Sequence, residues 1–420
     1  MLGNNLLLTN AKIWVTDRII EGNLLLDDES GVIQSIFKSS SSTNEQNEFK
    51  INLRKKLIIP SLIDIHCHLR DFNESHKETY QTGAKAAAAG GYTHVFDMPN
   101  KQPAVISNKQ IQGINKTIKN LNSVKITPFL LLCSETEELL KYKYPFLKAY
   151  LGLTTGNYLT TELDIQNFIQ NSSSFLSVHC EDNELIERNK IKMKDELKDH
   201  CEIRGAETEL TSLSTLLRIK NELKSNATLH VAHLTLTRSI DMLKNKNISF
   251  EVTPHHLLLN RDDYTRLGVW GKMNPPLRNK NEQGMLLKAF LEGRIPIIAT
   301  DHAPHTKEEK VNSLRAGVPG LETTLPLLLD KLKPLDIQKI QLIIDVLATN
   351  PRKIMKSSSR GIIAEGEVAD LTIIDLNMIK EVKGENLYTK CNWSPWEGKK
   401  MKGWPVMTIR EGRIIHNDLF

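Results

Sequence analysis

Short apolar runs alternate with longer helix-like stretches between residues 57 and about 350, and this alternation constrains the fold more than any other feature. The runs are almost continuously apolar, as expected for strands that are buried on both faces. Eight such runs separated by helices predict a closed parallel barrel, in which ligands bind at the carboxyl ends of the strands. The runs are residues 57–63, 91–97, 124–132, 145–150, 175–179, 228–233, 248–253 and 295–300.

The two ends of the chain have a different pattern from the central part. Short strand-like runs separated by turn residues occur at both ends, and Glu411-Gly412 lies between two of them as in a hairpin. The serine-rich segment 39–47 is interpreted as a loop. We expect an α/β fold: a TIM-type (β/α)8 barrel of residues 57–358, beside a small β-sandwich domain formed by residues 1–56 and 359–420.

Composition excludes several classes of protein. The chain is 40% hydrophobic and 25% charged, as in ordinary globular domains. Its 55 basic and 50 acidic residues are spread along the sequence, so we expect no nucleic-acid partner. Five cysteines without Cys-x-x-Cys spacing indicate a reducing compartment. Because we find neither a signal-like leader nor an apolar stretch of the roughly 18 to 20 residues of a membrane helix, we expect a cytoplasmic protein without a membrane partner.

The first apolar run is followed by the sequence Asp-Ile-His-Cys-His-Leu-Arg-Asp at residues 64–71. Residues two apart on a strand point the same way, so His66 and His68 project together from its carboxyl end. Two such imidazoles can share one metal ion or bridge two. Arg70 continues the same side and adds a guanidinium suited to a carboxylate. A His-x-His pair is also common in proteins without any metal. The residues at the other strand ends therefore decide between a metal site and a pair without metal.

Residue types that bind metals also occur at four other strand ends. Lys148 lies within the fourth run, His179 and His233 end the fifth and sixth, and Asp301 follows the eighth. Each has a structural alternative on its own: a solvated lysine, a hydrogen-bonded surface imidazole or a helix cap. Together, five strand ends at one barrel mouth favour a shared metal site. His230 is the alternative ligand on the sixth run, and we favour His233 because it lies closer to the strand end.

Lys148 is a cation and would repel a metal in that form. It becomes a ligand if its amine is neutral and adds carbon dioxide, because the resulting carbamate can bridge two cations. The strand ends then predict two adjacent metal sites with open positions. Two metals can hold a hydroxide and polarise a carbonyl, and Asp301 can accept the proton and return it to a leaving nitrogen. The predicted chemistry is the hydrolysis of an amide bond, or its reverse.

These motifs resemble the dihydroorotases of the amidohydrolase superfamily, in the branch that carries a lysine in the metal site. The resemblance covers nearly the whole chain, and it is most specific in a few short segments. They are residues 66–70 (His-Cys-His-Leu-Arg), 90–93 with 98–100, 253–256, 272–278 (Lys-Met-Asn-Pro-Pro-Leu-Arg) and 300–305 (Thr-Asp-His-Ala-Pro-His). The chain differs from many such proteins after Arg70, where Asp71-Phe-Asn73 replaces Glu-Pro-Gly.

The resemblance implies a role for each matching residue. It implies two zinc ions per chain, with the ligands His66, His68, His179, His233 and Asp301 and with carboxylated Lys148 as the bridge. Asp301 would also be the general acid/base. The substrate carboxylate would be held by Arg70, Asn100 and His305, with Asn274 near the pyrimidine ring.

The reaction that the resemblance implies is the reversible cyclisation of N-carbamoyl-L-aspartate to L-dihydroorotate in pyrimidine biosynthesis. A metal-bridging hydroxide would be the nucleophile in the hydrolytic direction. The small-molecule substrate would be the main partner, and the protein would be a homodimer, which is also the commonest form of soluble oligomer. Thr154 and Thr155 are candidates for a loop that closes over the substrate.

Two alternative functions stay open. One is another cyclic-amide hydrolase, a dihydropyrimidinase or allantoinase, which Arg70 and the segment 272–278 disfavour. The other is a non-catalytic dihydroorotase-like subunit that supports a partner enzyme, which we would expect to have lost ligands that this chain retains. The sequence also leaves open whether His255 or His256 contacts the substrate.

Overall fold

The computed structural model describes residues 5–38, 48–136, 144–154, 158–193, 195, 197–223 and 227–419. The serine-rich segment 39–47, predicted to be a loop, lies outside these residues. The strands are β1 Asn5–Val15, β2 Arg18–Leu26, β3 Ile33–Phe37, β4 Glu48–Asn52, β5 Leu57–Pro60, β6 Leu62–Cys67, β7 Tyr92–Asp97, β8 Lys125–Pro128, β9 Leu130–Leu131, β10 Phe146–Tyr150, β11 Phe175–His179, β12 Thr228–Val231, β13 Ser249–Phe250, β14 Leu371–Glu381, β15 Lys400–Arg410 and β16 Arg413–Asn417.

Both ends of the chain contribute to one eight-stranded sheet. Its order is β16-β15-β14-β5-β1-β2-β3, with β4 also paired to β1. The pairs are antiparallel except where β1 meets β4 and β5. This sheet buries an apolar core of its own, which includes Leu8, Ile13, Leu24, Ile373 and Val406. The prediction of a β domain built from both ends of the chain is confirmed.

The first apolar run, predicted as one strand over residues 57–63, is two strands. β5 pairs with β14 and β1 in the terminal sheet, whereas β6 pairs with β7 in the barrel. The first of these strands, β5, ends at Pro60, which has no N–H group to donate to a neighbouring strand. The next N–H group, that of Ser61, donates to the Asp370 carbonyl oxygen. Both strands are buried, so apolar composition does not reveal the break. We propose Ser61, rather than residue 57, as the boundary between the terminal sheet and the barrel.

The parallel strands form two stretches, β6-β7-β8 and β9 to β13. The third apolar run is interrupted at Phe129, so that β8 pairs with β7 and β9 pairs with β10. The eighth run and the residues directly after it join the ring through single bridges, Val252 to Ile298 on one side and Cys67 to His302 on the other. These bridges link β13 back to β6, and the predicted closed barrel is confirmed.

Helices follow most barrel strands and pack on the outside. They are α1 Tyr80–Ala89, α2 Asn108–Ile118, α3 Glu162–Asn171, α4 Asn183–Lys192, α5 His200–Ile203, α6 Ala206–Leu223, α7 Thr237–Leu243, α8 Pro254–Leu258, α9 Tyr264–Leu267, α10 Lys280–Leu291, α11 Lys307–Asn312, α12 Thr324–Lys331, α13 Ile337–Ile344 and α14 Asn350–Ile354, with a π-helical turn at Asp345–Thr349. Among these described helices, none is both long and apolar enough to cross a membrane.

An aromatic cluster fills the barrel below its carboxyl end. The Phe146 ring packs against those of Phe96, Phe129 and Phe175, at centroid distances of 5.1 to 6.3 Å. Phe146 lies two residues before Lys148 on β10, so both side chains point to the same side of the strand. The cluster therefore forms an apolar floor, and the polar strand ends lie above it.

Candidate metal centre

Three metal-binding groups converge at the carboxyl end of the barrel. Asp301 Oδ1 lies 3.0 Å from His68 Nε2 and 3.4 Å from His66 Nε2. The three residues each offer one ligand atom, and these atoms lie within 4.8 Å of one another. All three residues are buried. Candidate ligands from the first and eighth strand positions therefore meet at one point, where a single cation could contact all of them.

Other side chains hold the far nitrogens of these two imidazoles. His66 Nδ1 is hydrogen-bonded to the buried carboxylate of Glu251, and His68 Nδ1 lies 2.7 Å from Asn100 Oδ1. The second oxygen of Glu251 lies 3.1 Å from His230 Nε2, so His230 supports the carboxylate instead of facing the centre. Because Nδ1 of each imidazole donates its hydrogen to one of these partners, Nε2 has a free lone pair that points toward the centre. This is the usual arrangement of imidazole ligands in metal sites.

His179 and His233 form a second pair beside the first. His179 Nδ1 lies 2.9 Å from His233 Nε2, and the His233 ring centroid is 5.3 Å from that of His66. The other nitrogen of His179 contacts Glu181 at 2.8 Å, and Glu181 is paired with Arg204. Two imidazole nitrogens that lie this close together could bind the same cation, and the carboxylate on the far side of the His179 ring would hold that ring in place. The strand ends thus place a second pair of imidazole nitrogens, which are candidate metal ligands, next to the first.

Lys148 lies on β10 with its side chain fully buried. Its Nζ is 3.2 Å from Ser177 Oγ and 5.5 Å from the centre of the Tyr150 ring. Burial lowers the pKa of the ammonium group to about 8, against the opposing charges of Glu251 and Asp301. About a tenth of such an amine is neutral at pH 7, far more than for an exposed lysine.

Burial also sets the protonation of the other groups. It lowers the pKa of all four imidazoles, that of His66 to about 4, so they are neutral at pH 7. Burial raises the pKa of Asp301, so this carboxyl takes up a proton more readily than an exposed aspartate. Neutral imidazole is the form that binds a metal, and a carboxyl with a raised pKa is suited to proton transfer.

Three of the predicted site residues have a strained backbone. The φ angle is +55° at Arg70, +37° at His233 and +44° at Asp301. A non-glycine residue with positive φ costs on the order of 1 to 3 kcal/mol, and such residues cluster at functional sites. The shared strain supports a functional role for these positions over a purely structural one.

The Arg70 guanidinium lies beside the centre and is almost fully buried. Its Nε donates to the Pro304 carbonyl oxygen at 3.2 Å, and its Nη2 lies 3.3 Å from His305 Nε2. Nη1 is buried and has no hydrogen-bond partner in the part of the chain that the structure describes. A buried donor without an acceptor costs roughly 1 to 3 kcal/mol, so this position is suited to an anionic ligand.

The remaining predicted residues occupy different positions around this cavity. Asn100, Asn274 and Thr154 line it together with Arg70 and the metal-binding groups. The buried side-chain oxygen of Asn274 has no partner within the described ranges. His305 contacts the Arg70 guanidinium. Thr155, the second candidate for a closing loop, lies outside the described residues.

His256 has a supporting role in the structure. Its Nε2 lies 2.9 Å from the Pro275 carbonyl oxygen and its Nδ1 lies 2.7 Å from Thr253 Oγ1. Both nitrogens are thereby occupied, and they hold the segment that carries Asn274. His255 is buried too, but the cavity lining does not include it.

Known proteins match this chain over nearly its whole length. Residues 55–210 match the family model described as dihydro-orotase-like. The dihydroorotase of Pyrococcus horikoshii is 35% identical over 97% of this chain and 91% of its own length. That of Methanosphaera stadtmanae is 34% identical over 99% and 97%, and that of Bacillus cytotoxicus is 31% identical over 94% of each. The chain belongs to the dihydroorotase family. The resemblance inferred from the motifs is thereby confirmed.

Solved structures confirm the fold of this dihydroorotase family member. The L-hydantoinase (dihydropyrimidinase) of Arthrobacter aurescens has a TM-score of 0.90 at 20% identity, covering 99% of this chain and 97% of its own. The D-hydantoinase (dihydropyrimidinase) of a Thermus species has a TM-score of 0.84 at 21% identity, covering 99% and 96%. At this identity the likeness concerns the architecture, and the predicted fold class is confirmed.

Two carboxylates of the centre were missed by the sequence reasoning. Glu251, which holds His66, is a charged residue inside the seventh apolar run, and this was the signal that could have revealed it, since a buried charge needs a partner. Glu181 lies two residues after His179, where the sequence is equally compatible with a surface imidazole hydrogen-bonded to a nearby carboxylate. In the structure Glu181 is fully buried, and the pairing with Arg204 and His179 keeps its pKa below the ordinary value despite burial.

Proposed function

We propose that the protein is a dihydroorotase, which interconverts N-carbamoyl-L-aspartate and L-dihydroorotate. The observation that carries the proposal is the buried Nη1 of Arg70, which has no partner among the described residues and lies in the same cavity as His66, His68 and Asp301. A site that offers a guanidinium beside a hydrolytic centre selects cyclic amides with a carboxylate and rejects those without one, because the guanidinium would stay unpaired.

The ligand set supports zinc as the metal, with two ions per chain. His66, His68 and Asp301 would hold one ion, and His179 and His233 the other. When bound, the metal pair lowers the pKa of water and polarises the scissile carbonyl group. The neutral imidazoles fit this role, because a protonated imidazole cannot bind a cation.

Lys148 is proposed to bridge the two ions as a carbamate. Its neutral amine would add carbon dioxide, forming an N–C bond and releasing one proton. The lowered pKa of about 8 favours this addition, because only the neutral amine has a free electron pair. The two carbamate oxygens would then carry the negative charge that a cation pair requires.

The protein side chains divide the remaining work between positioning and proton transfer. Arg70, supported by His305, would bind the substrate carboxylate, and Asn100 would contribute beside His68. Asn274 would contact the ring through its side-chain oxygen, for which the described ranges of the chain offer no partner. In the hydrolytic direction a carboxylate oxygen of Asp301 would accept a proton and pass it to the leaving ring nitrogen, which its raised pKa favours.

The proposal is tested by measuring turnover in both directions with purified protein. L-Dihydroorotate is compared with 5,6-dihydrouracil and hydantoin, two cyclic amides that lack the carboxylate. We expect kcat/KM for dihydroorotate to exceed both by at least about a hundredfold. The Arg70→Lys variant should lose roughly a hundredfold in kcat/KM for dihydroorotate, since a bidentate charged contact becomes a single one. Its effect on the other two substrates should be small.

Lys85 on α1 provides a matched control for the arginine variant, because its exposed side chain lies away from the cavity. Lys85→Arg should leave all three activities unchanged. If the protein bound metal but turned over dihydrouracil or hydantoin faster than dihydroorotate, the proposal would be wrong and the chain would be another cyclic-amide hydrolase. If it bound metal and turned over none of them, a non-catalytic subunit would be the better interpretation.

We further propose that the protein acts as a homodimer in the cytoplasm. Light scattering on the purified protein tests the first part, and a monomer at micromolar concentration would contradict it. Cell fractionation tests the second.

A further inference from the structure

Tyr150 lies at the carboxyl end of β10, two residues after Lys148 and on the same side of the strand. Its Cα is in register with that of His179 on β11, and the two ring centroids are 6.0 Å apart. The residue is 2% exposed and lines the cavity that contains Arg70 and Asp301. Its position on the strand therefore brings a phenol to the edge of the metal centre.

The Tyr150 hydroxyl is buried and has no hydrogen-bond partner in the described part of the chain. Buried tyrosine hydroxyls usually have a partner, and each exception needs an explanation. The same cavity contains a second buried donor without an acceptor, Arg70 Nη1. Two donors in one cavity that have no acceptor among the described residues are suited to a ligand that supplies one.

The phenol lies beside the candidate metal centre. Lys148 Nζ is 5.5 Å from the centre of the Tyr150 ring, and the residue lines the same cavity as Arg70 and Asp301. A tyrosine hydroxyl is protonated at neutral pH and can therefore donate a hydrogen bond.

A carboxylate is the acceptor that best matches these donors. Its two oxygens accept about four hydrogen bonds, which is more than the free Nη1 of Arg70 can supply. A buried carboxylate that lacks partners is strongly destabilised, so a site for one needs several converging donors. The scissile carbonyl of a cyclic amide, in contrast, already has the metal centre as its electrophile.

We propose that the Tyr150 hydroxyl donates a hydrogen bond to the same substrate carboxylate that Arg70 binds, and thereby helps to determine substrate specificity. This inference rests on the proposed function. The contact is made to a part of the substrate that does not react, so it holds in the bound substrate and in the transition state alike. Uniform binding of this kind lowers KM and leaves kcat unchanged.

The test is the Tyr150→Phe variant, which removes only the hydroxyl and retains the ring between Lys148 and His179. We expect KM for dihydroorotate to rise roughly 10- to 100-fold, the range for a hydrogen bond to a charged group. We expect kcat to stay within about twofold and the zinc content to stay that of the parent. Tyr92→Phe is the matched control, because Tyr92 is equally buried but does not line the cavity, and its kinetics should be those of the parent.

Two results would overturn the inference. Unchanged kinetics would mean that the hydroxyl makes no contact with the substrate. A fall in kcat at constant KM would mean that it acts on the reacting carbonyl or on the metal centre instead. If the parent itself had no activity, the proposed function would fail. Calorimetric binding of dihydroorotate to parent and variant would then test Tyr150 alone, with equal affinities counting against it.

Discussion

Replacing Glu251 with glutamine tests whether this carboxylate positions the metal ligands. Glu251 accepts hydrogen bonds from His66 on one oxygen and from His230 on the other. Although burial opposes ionisation, these two imidazoles keep the pKa of Glu251 below its ordinary value, so it is a carboxylate. Glutamine has the same shape but only one acceptor oxygen, and its NH2 group must face one of the two imidazole N–H groups.

The expected loss follows from this count of donors and acceptors. One buried N–H loses its partner and the other loses a charged acceptor, which together cost roughly 1.5 to 3 kcal/mol. Part of this cost falls on metal binding, because His66 is no longer held with Nε2 toward the centre. A loss of 10- to 100-fold in metal affinity is typical for such supporting residues and corresponds to about 1.4 to 2.7 kcal/mol. The two estimates agree.

The assay is competition for zinc between the metal-free protein and a chromophoric chelator of known affinity. Glu251→Gln should bind zinc 10- to 100-fold more weakly than the parent, and its activity should recover at saturating zinc. Glu207→Gln is the control, because the Glu207 side chain on α6 is 75% exposed and pairs with Arg238. A zinc affinity within twofold of the parent, in a variant with an unchanged circular dichroism spectrum, would refute the proposed role of Glu251.

Two further predictions concern stability. The folded chain holds the pKa of Lys148 at about 8 against 10.5 when unfolded, so the unfolded chain binds more protons between these values. The free energy of unfolding of the metal-free protein should therefore rise by up to about 3 kcal/mol as the pH rises from 8 to 10.5. In urea unfolding experiments the Lys148→Met variant should lack this part of the rise. If the free energy of unfolding changed with pH in the same way in parent and variant, the prediction would be wrong. Arg352 is buried and donates to the Ser61 carbonyl oxygen at 2.6 Å and to Ser61 Oγ at 2.7 Å, at the junction of β5 and β6. The Arg352→Met variant should lower the free energy of unfolding by about 2 to 4 kcal/mol. The control variant Arg360→Met, at an exposed position, should change it by less than about 0.5 kcal/mol. Equal losses in the two variants would count against the role of Arg352.

The sequence alone was sufficient for the architecture and for most candidate ligands. Strand and helix periodicity is a local property, so the alternation over residues 57–350 identified the barrel without any knowledge of contacts. In a parallel barrel all strands end on the same face, so residues such as His66, His179 and Asp301 could be assigned to one mouth from their positions at strand ends. Their convergence required no information about side-chain geometry.

Tertiary structure decided what depends on distant parts of the chain. Glu251 and His66 are 185 residues apart, and no local pattern pairs them. The division of the first apolar run at Ser61 depends on which sheet each half joins, because the two strands are equally buried. That the donors of Arg70 and Tyr150 have no acceptor among the described residues is likewise visible only in the packed fold. Residue type and spacing are local, whereas the satisfaction of buried polar atoms is a property of the whole packed fold.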